Sequence, residues 1–446
     1  MAKKTKKRSI FLILVLGLIL IGAGLARFIG LGQLPPGTHC DEVSVGYNAF
    51  SIWQAGIDEW GNKYPLTFKA FGEHKLPGLP YLVAFLFNFF PVSIFTVRFP
   101  SAMAGFFSII AIYLIFKEIF SQNKILPLLG AFIFAFIPWS FSLSRQFFES
   151  NVANGFFLFG FFFLLRFIKS PAKEKLVDAN SFLTVLLFSL SGYFYIVHRL
   201  IGPLILAFSL FILFKNKKIT LKKSFLIFGF FILLSLPLIF QMINPEASKR
   251  LNQESQVINF GSSLEINENR AMCYLFMNKS AKLAKICYLI WNKPVLRIEK
   301  AVRSYLAHFS PQFLFFEGGT TPGSAFLDYG AFFLSLAPFY FLGFYRLFIW
   351  VFREKDVFGK IFLFSLFVSP LSGSLVGQPA EHRSTIFLFF VLSLIILGFW
   401  QTFLFLKNNK KLLNITLLLV VLLLLFETSR FFVDFFLIKT RFNSIK

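Results

Sequence analysis

Leu79-Pro80-Tyr81-Leu82-Val83-Ala84-Phe85-Leu86-Phe87-Asn88-Phe89-Phe90-Pro91-Val92-Ser93-Ile94-Phe95 is apolar, but short and interrupted by Pro80, Asn88 and Pro91. Whether this block spans a membrane decides the topology of everything after it. Eleven clearer blocks occupy residues 10–26, 99–120, 125–141, 152–168, 182–197, 201–214, 225–243, 329–352, 361–376, 386–406 and 412–426. Most approach the ~20 apolar residues a transmembrane helix needs. Charge settles the ambiguous block. With 79–95 interfacial, Lys117/Lys124, Lys169/Lys173/Lys175, Lys215/Lys217/Lys218/Lys222/Lys223, Arg353/Lys355/Lys360 and Lys407/Lys410/Lys411 share one side with the N-terminal cluster Lys3-Lys4-Thr5-Lys6-Lys7-Arg8. The opposite short connectors carry one arginine each: Arg145, Arg199 and Arg383. With 79–95 spanning, every later basic connector would lie outside, against the positive-inside rule. The expectation is eleven spans, a cytoplasmic N-terminus on an uncleaved first helix, and two long extracytoplasmic loops at 27–98 and 244–328.

Composition agrees. The 446 residues are 56% hydrophobic with 69 Phe and only 15% charged, against about a quarter charged in soluble domains. That excludes a soluble enzyme, a disordered chain and a nucleic-acid module, so no nucleic acid is expected as partner. The net charge of +24 reads as orientation signals on cytoplasmic connectors. Three cysteines are too few for a disulfide framework. Cys273 and Cys287 fall in the second long loop, where they pair in an oxidising compartment and otherwise serve as small apolar residues. Residues 279–303 hold Lys279, Lys282, Lys285, Lys293, Arg297, Lys300 and Arg303 among Leu, Ile, Tyr and Trp. They read as helices lying on lipid headgroups, with an ordinary solvated helix as the alternative. There is no internal repeat, and residues 1–446 read as one all-α membrane domain.

Topology sorts the polar chemistry. His39, His74, His198, His308 and His382 all fall in outward loops or at outward helix ends, as do most carboxylates. Ionisable residues within spans mark ion and proton pathways, and their scarcity argues against a coupled transporter. In the first loop, Val43, Tyr47, Phe50 and Trp53/Gln54 recur at helical spacing, so Asp41-Glu42 starts a surface helix. A carboxylate there is favoured by the helix dipole, and capping is the bland role for Asp41. Lys75 opens the interfacial block, where it holds a lipid phosphate or snorkels.

The order of these features resembles the membrane-embedded glycosyltransferases of the GT-C superfamily, nearest to the bacterial family 39-like enzymes related to protein O-mannosyltransferases and lipid A aminoarabinose transferases. The matching residues are Asp41-Glu42 with Gly46-Tyr47-Asn48-Ala49, and Phe71-Gly72-x-x-Lys75-x-Pro77. Further along stand Val97-Arg98-Phe99-Pro100-Ser101-Ala102, then Pro138-Trp139 with Ser144-Arg145-x-x-Phe148-Glu149-x-Asn151. His198-Arg199 before Pro203, Tyr305-Leu306-x-His308-Phe309-Ser310-Pro311 and Pro379-x-x-His382-Arg383 complete the set. Cys40 and His74 depart from it, standing where relatives often have an aromatic residue and an acid.

The resemblance implies an inverting transfer of a hexosyl or pentosyl group from a polyprenyl-phosphate donor to a lipid, glycan or protein acceptor outside the cytoplasm. Asp41 matches the family's catalytic aspartate, with Glu42 the next candidate. Glu149 matches the second acidic position, unless it pairs with Arg145 at i,i+4. Lys75, Arg199 and Arg383 match basic positions suited to the leaving phosphate, unless they only anchor the interface. Tyr47, His198, His308 and His382 remain as substrate contacts. No cofactor is assigned and metal dependence stays open: Glu149 could support a divalent ion, and one at His39, Cys40 and His74 is chemically conceivable. The expected location is the plasma membrane, as a multi-pass protein, and the lack of any soluble sensory or lectin-like domain points to a bacterium. The rivals are an O-antigen-ligase or polymerase-like enzyme and a lipid or glycan transporter.

Overall fold

The computed structural model describes residues 2–71, 73–169, 178–243, 263–277, 281–319 and 329–438. Lys173, Lys175 and Lys279, together with the start of the second long loop, lie outside them. Helix α1 runs Ala2–Phe28, and α2 runs Cys40–Ala55. The cap of α2 is His39, whose Nδ1 accepts the Asp41 amide; Asp41 is not the cap. At the far end Gly56 takes φ 68°, the left-handed conformation that glycine adopts without a Cβ penalty. The stripe Val43, Tyr47, Phe50 and Trp53 is exposed, while Glu42, Val45, Asn48, Ala49 and Ile52 are buried.

A hairpin follows, β1 (Phe68–Ala70) against β2 (Glu73–Lys75), pairing Phe68 with Lys75. Then α3 covers Gly78–Leu86. Its 9 residues reach only ~14 Å at ~1.5 Å per residue, far short of a ~30 Å hydrocarbon core. The ambiguous block is therefore not a span, and its last two residues open the next helix. A Cβ on Gly78 would stand 2.7 Å from the Phe194 ring, so only glycine lets α3 begin there.

The later elements are α4 (Ile94–Ile119), α5 (Ile125–Phe136), α6 (Pro138–Ser144), α7 (Glu149–Lys169), α8 (Ala179–Phe194), α9 (Ile196–Lys215) and α10 (Leu221–Ile243). Next come α11 (Ser263–Phe276), α12 (Ala281–Ile290) and α13 (Lys293–His308). The last are α14 (Ala337–Phe348), α15 (Val357–Val368), α16 (Pro370–Val376), α17 (Thr385–Leu406) and α18 (Lys410–Val433). Among the described residues, nine helical segments are long and apolar enough to cross a membrane. The pair α5 and α6, bent by 56°, makes a tenth. Its bend has a local cause: Ile137 precedes Pro138 and is forced to ψ 151°, because proline disfavours the helical region for the residue before it. Helix α8, with 16 residues, stands where the remaining span was expected.

The main core lies among these helices. A second, smaller core joins the first loop to the bundle through Val45, Ile52, Phe68, Val83, Val97 and Phe194. The first loop is thus a packed cap over one end of α4, α7 and α8. Arg27 and Arg98, counted from sequence as loop boundaries, are both fully buried. In the second loop Cys273 and Cys287 form a disulfide joining α11 to α12, leaving Cys40 free.

Two outcomes test this arrangement. In a Cys40→Ser background, Gln122→Cys between α4 and α5 is expected to resist an impermeant thiol reagent in intact cells; labelling from outside would reverse the expected orientation. Thiol titration of the denatured, unreduced protein should find Cys40 alone, and three free thiols would exclude the bridge.

Candidate active site

Residues 29–39, between α1 and α2, form turns and open chain. Their carbonyls are gathered by two arginines. Arg98 donates to the carbonyls of Leu31, Pro35 and Gly37 at 3.1, 3.1 and 2.9 Å, and to both oxygens of Glu42 at 2.6 and 3.0 Å. Arg145, between α6 and α7, donates to the carbonyls of Ala26, Arg27, Ile29, Gly30 and Leu34 at 2.7 to 3.2 Å. Burial and the nearby Arg98 charge lower Arg145 to about 10, which leaves it cationic at neutral pH. Glu42, 4% exposed, is committed to this anchor.

Anchoring Glu42 fixes its neighbour. The Asp41 side chain, 37% exposed, takes the Lys75 ammonium at 2.5 Å on Oδ1. Lys75 arrives at the end of β2 and is 7% exposed, so its charge is held almost out of water. His39 Nδ1 stands 3.7 Å from Asp41 Oδ2. Because that nitrogen already accepts the Asp41 amide at 3.2 Å, its proton sits on Nε2, and this contact is not an ion pair.

A file of rings runs beside the carboxylate. His39 stacks on Phe147, Phe147 on Phe148, and Phe148 on His382, with centroids 6.1, 5.7 and 5.6 Å apart. Burial first, then Arg383, lowers His382 to about 3, against the upward pull of Asp41. His382 is therefore neutral. Its neighbour Glu381 is buried and raised to about 7, with the Gly319 amide at 2.6 Å opposing the shift. The hairpin thus brings Lys75 to Asp41, and the turn before α17 brings His382 near it, with Arg383 following in the chain.

Other residues picked out by sequence stand elsewhere. Arg199 donates to Gly192 O at 2.9 Å and Gln241 Oε1 at 2.6 Å, and Gln241 donates to Leu66 O. It clamps α8, α10 and the first loop. Glu149 begins α7 directly after Phe148. Tyr47 is exposed on α2. His198 and His308 are fully buried, so neither offers an atom to a substrate in this conformation. His198 lies 3.5 Å from Thr385 Oγ1. His308 donates from Nδ1 to Ser304 O at 2.8 Å, and burial lowers it to about 4. From sequence Arg98 reads as a loop boundary and motif member, and Arg145 as a connector charge and a partner for Glu149; neither pattern shows that both hold the backbone between α1 and α2.

His39, Cys40 and Asp41 place one ligand atom each within 4.8 Å of one another, a nitrogen, sulfur and oxygen set that suits zinc. The arrangement does not fit a resident ion, because the Asp41 amide occupies His39 Nδ1 and Lys75 occupies the carboxylate. His74 is not in this group; it pairs with Lys69 across the hairpin.

The signature of the dolichyl-phosphate-mannose-protein mannosyltransferases matches residues 74–240. That segment includes Lys75, Glu149 and Arg199 and stops short of Asp41. No curated protein matches by sequence. The archaeal oligosaccharyltransferase AglB from Archaeoglobus fulgidus, in complex with an inhibitory peptide and a dolichol-phosphate, matches with TM-score 0.54 and 15% identity, over 95% of this chain and 55% of that one. Its apo form matches with TM-score 0.51 and the same identity and coverage. ArnT from Cupriavidus metallidurans, bound to undecaprenyl phosphate, gives TM-score 0.41 and 11% identity over 86% of this chain and 77% of that one, too loose a likeness to argue from. The chain spans about half the length of the archaeal chains it matches. Its bundle of apolar helices, with the first loop packed as a cap on one end, is the GT-C fold of polytopic membrane glycosyltransferases.

Proposed function

We propose that this protein is a multi-pass plasma-membrane glycosyltransferase that moves a sugar from a polyprenyl phosphate to a lipid, glycan or protein acceptor on the extracytoplasmic side. The observation that carries the reading is the contact pair of Asp41 and Lys75, half-open to solvent, with His382 near the carboxylate and Arg383 next to it in the chain. The AglB chain that shares the fold holds a dolichol-phosphate, a donor-type lipid of the same chemistry.

The acceptor hydroxyl attacks the sugar C1 from the face opposite the phosphate. Its oxygen forms the new C1–O bond, the bond to the phosphate oxygen breaks, and the configuration inverts. The hydroxyl proton goes to Asp41, and the electron pair leaves with the polyprenyl phosphate. A phosphate leaving group needs little acid assistance, so one carboxylate suffices as base. The charge growing on the phosphate calls for fixed cations, supplied by Lys75 and Arg383. Arg199, clamped to Gly192 and Gln241, supports the walls around them. Neutral His382 is a hydrogen-bonding contact for the sugar.

Membranes supplied with labelled polyprenyl-phosphate sugars should pass the label to an acceptor. Asp41→Asn is expected to slow transfer by about 10² to 10⁴, the usual cost of losing a positioned base, while donor binding stays near wild type. Lys75→Ala should weaken donor binding and turnover together. Wild-type transfer by purified Asp41→Asn protein would overturn the assignment of the base.

A further inference from the structure

We propose that His39 is a positioning residue for Asp41, and that it leaves one oxygen of that carboxylate open only while its imidazole is neutral. The inference rests on Asp41 being the base of the proposed transfer. The two oxygens of Asp41 have different neighbours. Oδ1 meets the Lys75 ammonium at 2.5 Å, while Oδ2 stands 3.7 Å from His39 Nδ1. That nitrogen accepts the Asp41 amide at 3.2 Å, so it offers Oδ2 no proton. Oδ2 is therefore the oxygen left for an acceptor hydroxyl.

Histidine is not among the strong capping residues, which are Ser, Thr, Asp and Asn. It differs from Ser, Thr and Asn in changing charge between pH 5 and 8. Both nitrogens of an imidazolium are donors, so a proton on Nδ1 ends its acceptance of the Asp41 amide. The new N–H has an acceptor at hand in Asp41 Oδ2. A charge-assisted bond there closes to about 2.8 Å. Lys75 then holds one oxygen of the carboxylate and His39 the other, and the acceptor hydroxyl has neither to donate to. Transfer falls as the pH drops through the histidine range and returns as it rises.

The surroundings leave the ring able to respond. The His39 side chain is 49% exposed, and Phe147 stacks on it at 6.1 Å. The titratable and charged groups facing it are Asp41, Cys40 with Sγ at 3.7 Å, and Lys75 across the carboxylate. His382 lies beyond Phe147 and Phe148, with Arg383 next to it in the chain. His382 is lowered to about 3 and keeps its charge state across this window. Glu381, raised to about 7, titrates within it and is the rival source of an acid limb.

The test follows transfer from labelled polyprenyl-phosphate sugar by the full chain in nanodiscs between pH 5 and 8. Wild-type transfer should fall about tenfold from pH 7.5 to 5.5, the change in neutral fraction of an ordinary imidazole over that interval. His39→Ala should lower transfer throughout, because the cap is lost. His39→Asn should rescue it, since Asn caps well, and the acid limb should be gone. Glu381→Gln should keep the limb. An acid limb that survives His39→Asn, or one that Glu381→Gln removes, would overturn the proposal. A second measurement is independent of activity. Nitrogen-15 NMR of histidine-labelled protein, with His39→Asn identifying the signal, should find neutral His39 with its proton on Nε2 at pH 8. Asp41→Asn should lower the midpoint of its titration by about half a pH unit or more, because a nearby carboxylate favours the imidazolium. A proton on Nδ1 at pH 8, or equal midpoints in the two proteins, would overturn the proposal. The expected NMR behaviour without transfer at any pH would instead overturn the proposed function and leave the contact of His39 with Asp41 standing.

Discussion

The buried pair of Arg98 and Glu42 is the contact on which the candidate site depends. One guanidinium holds a carboxylate by both oxygens and three carbonyls from residues 31–37. The chain there has left α1 and not yet begun α2, so those carbonyls have no helical partners. Backbone polar groups shut away from water must be satisfied, and irregular backbone near a bilayer is tolerated only when it is buried in protein. Arg145 does the same for residues 26–34. Removing one member of such a pair leaves the other charge stranded, at a cost of roughly 3–5 kcal/mol. A guanidinium suits this work better than an ammonium, because its planar fork reaches several acceptors at once.

That constraint explains why adjacent carboxylates have opposite roles. Successive residues on a helix diverge by about 100°, so when Glu42 turns inward to Arg98, Asp41 is carried to the open side. There the hairpin delivers Lys75. The hairpin is the sole strand pair among the described residues, and its register sets which side chain arrives. Shifting the pairing by one residue would turn Lys75 to the opposite face. The close approach of Gly78 to Phe194 fixes the chain directly after Lys75. The candidate pair of Asp41 and Lys75 therefore rests on a buried arginine on one side and a glycine contact on the other.

The spans were legible because apolar length and the side preference of lysine are properties of local sequence, and α3 could be set apart by its charge context alone. The first loop was legible only in part. Its helical period showed α2, yet Val43, Tyr47, Phe50 and Trp53 face outward. In water an apolar stripe points to the core; at a bilayer surface the stripe meets lipid, and the buried face can be the one carrying Glu42 and Asn48. Period alone does not distinguish the two solvents. Arg98 and Glu42 are 56 positions apart, and nothing local in either shows that one neutralises the other. Arg199 read as a phosphate ligand because it sits at a helix start facing the right end; its engagement with Gln241 on α10 is visible only once the helices are packed. His382 was placed at the same end by topology, but its neutrality follows from burial beside Arg383, which sequence does not show.

The contact between Asp41 and Lys75 also bears on the order of events under the proposed reaction. At rest the carboxylate is paired with the Lys75 ammonium. An arriving phosphodiester carries one negative charge, as the carboxylate does, and competes for the same ammonium. As Lys75 turns to the phosphate, Asp41 loses its partner on the open side of α2. Asp41 is then free to take the acceptor's hydroxyl. Donor binding and base activation are then one movement of one side chain. A carboxylate without Lys75 would lack this coupling, standing equally ready with no donor in place.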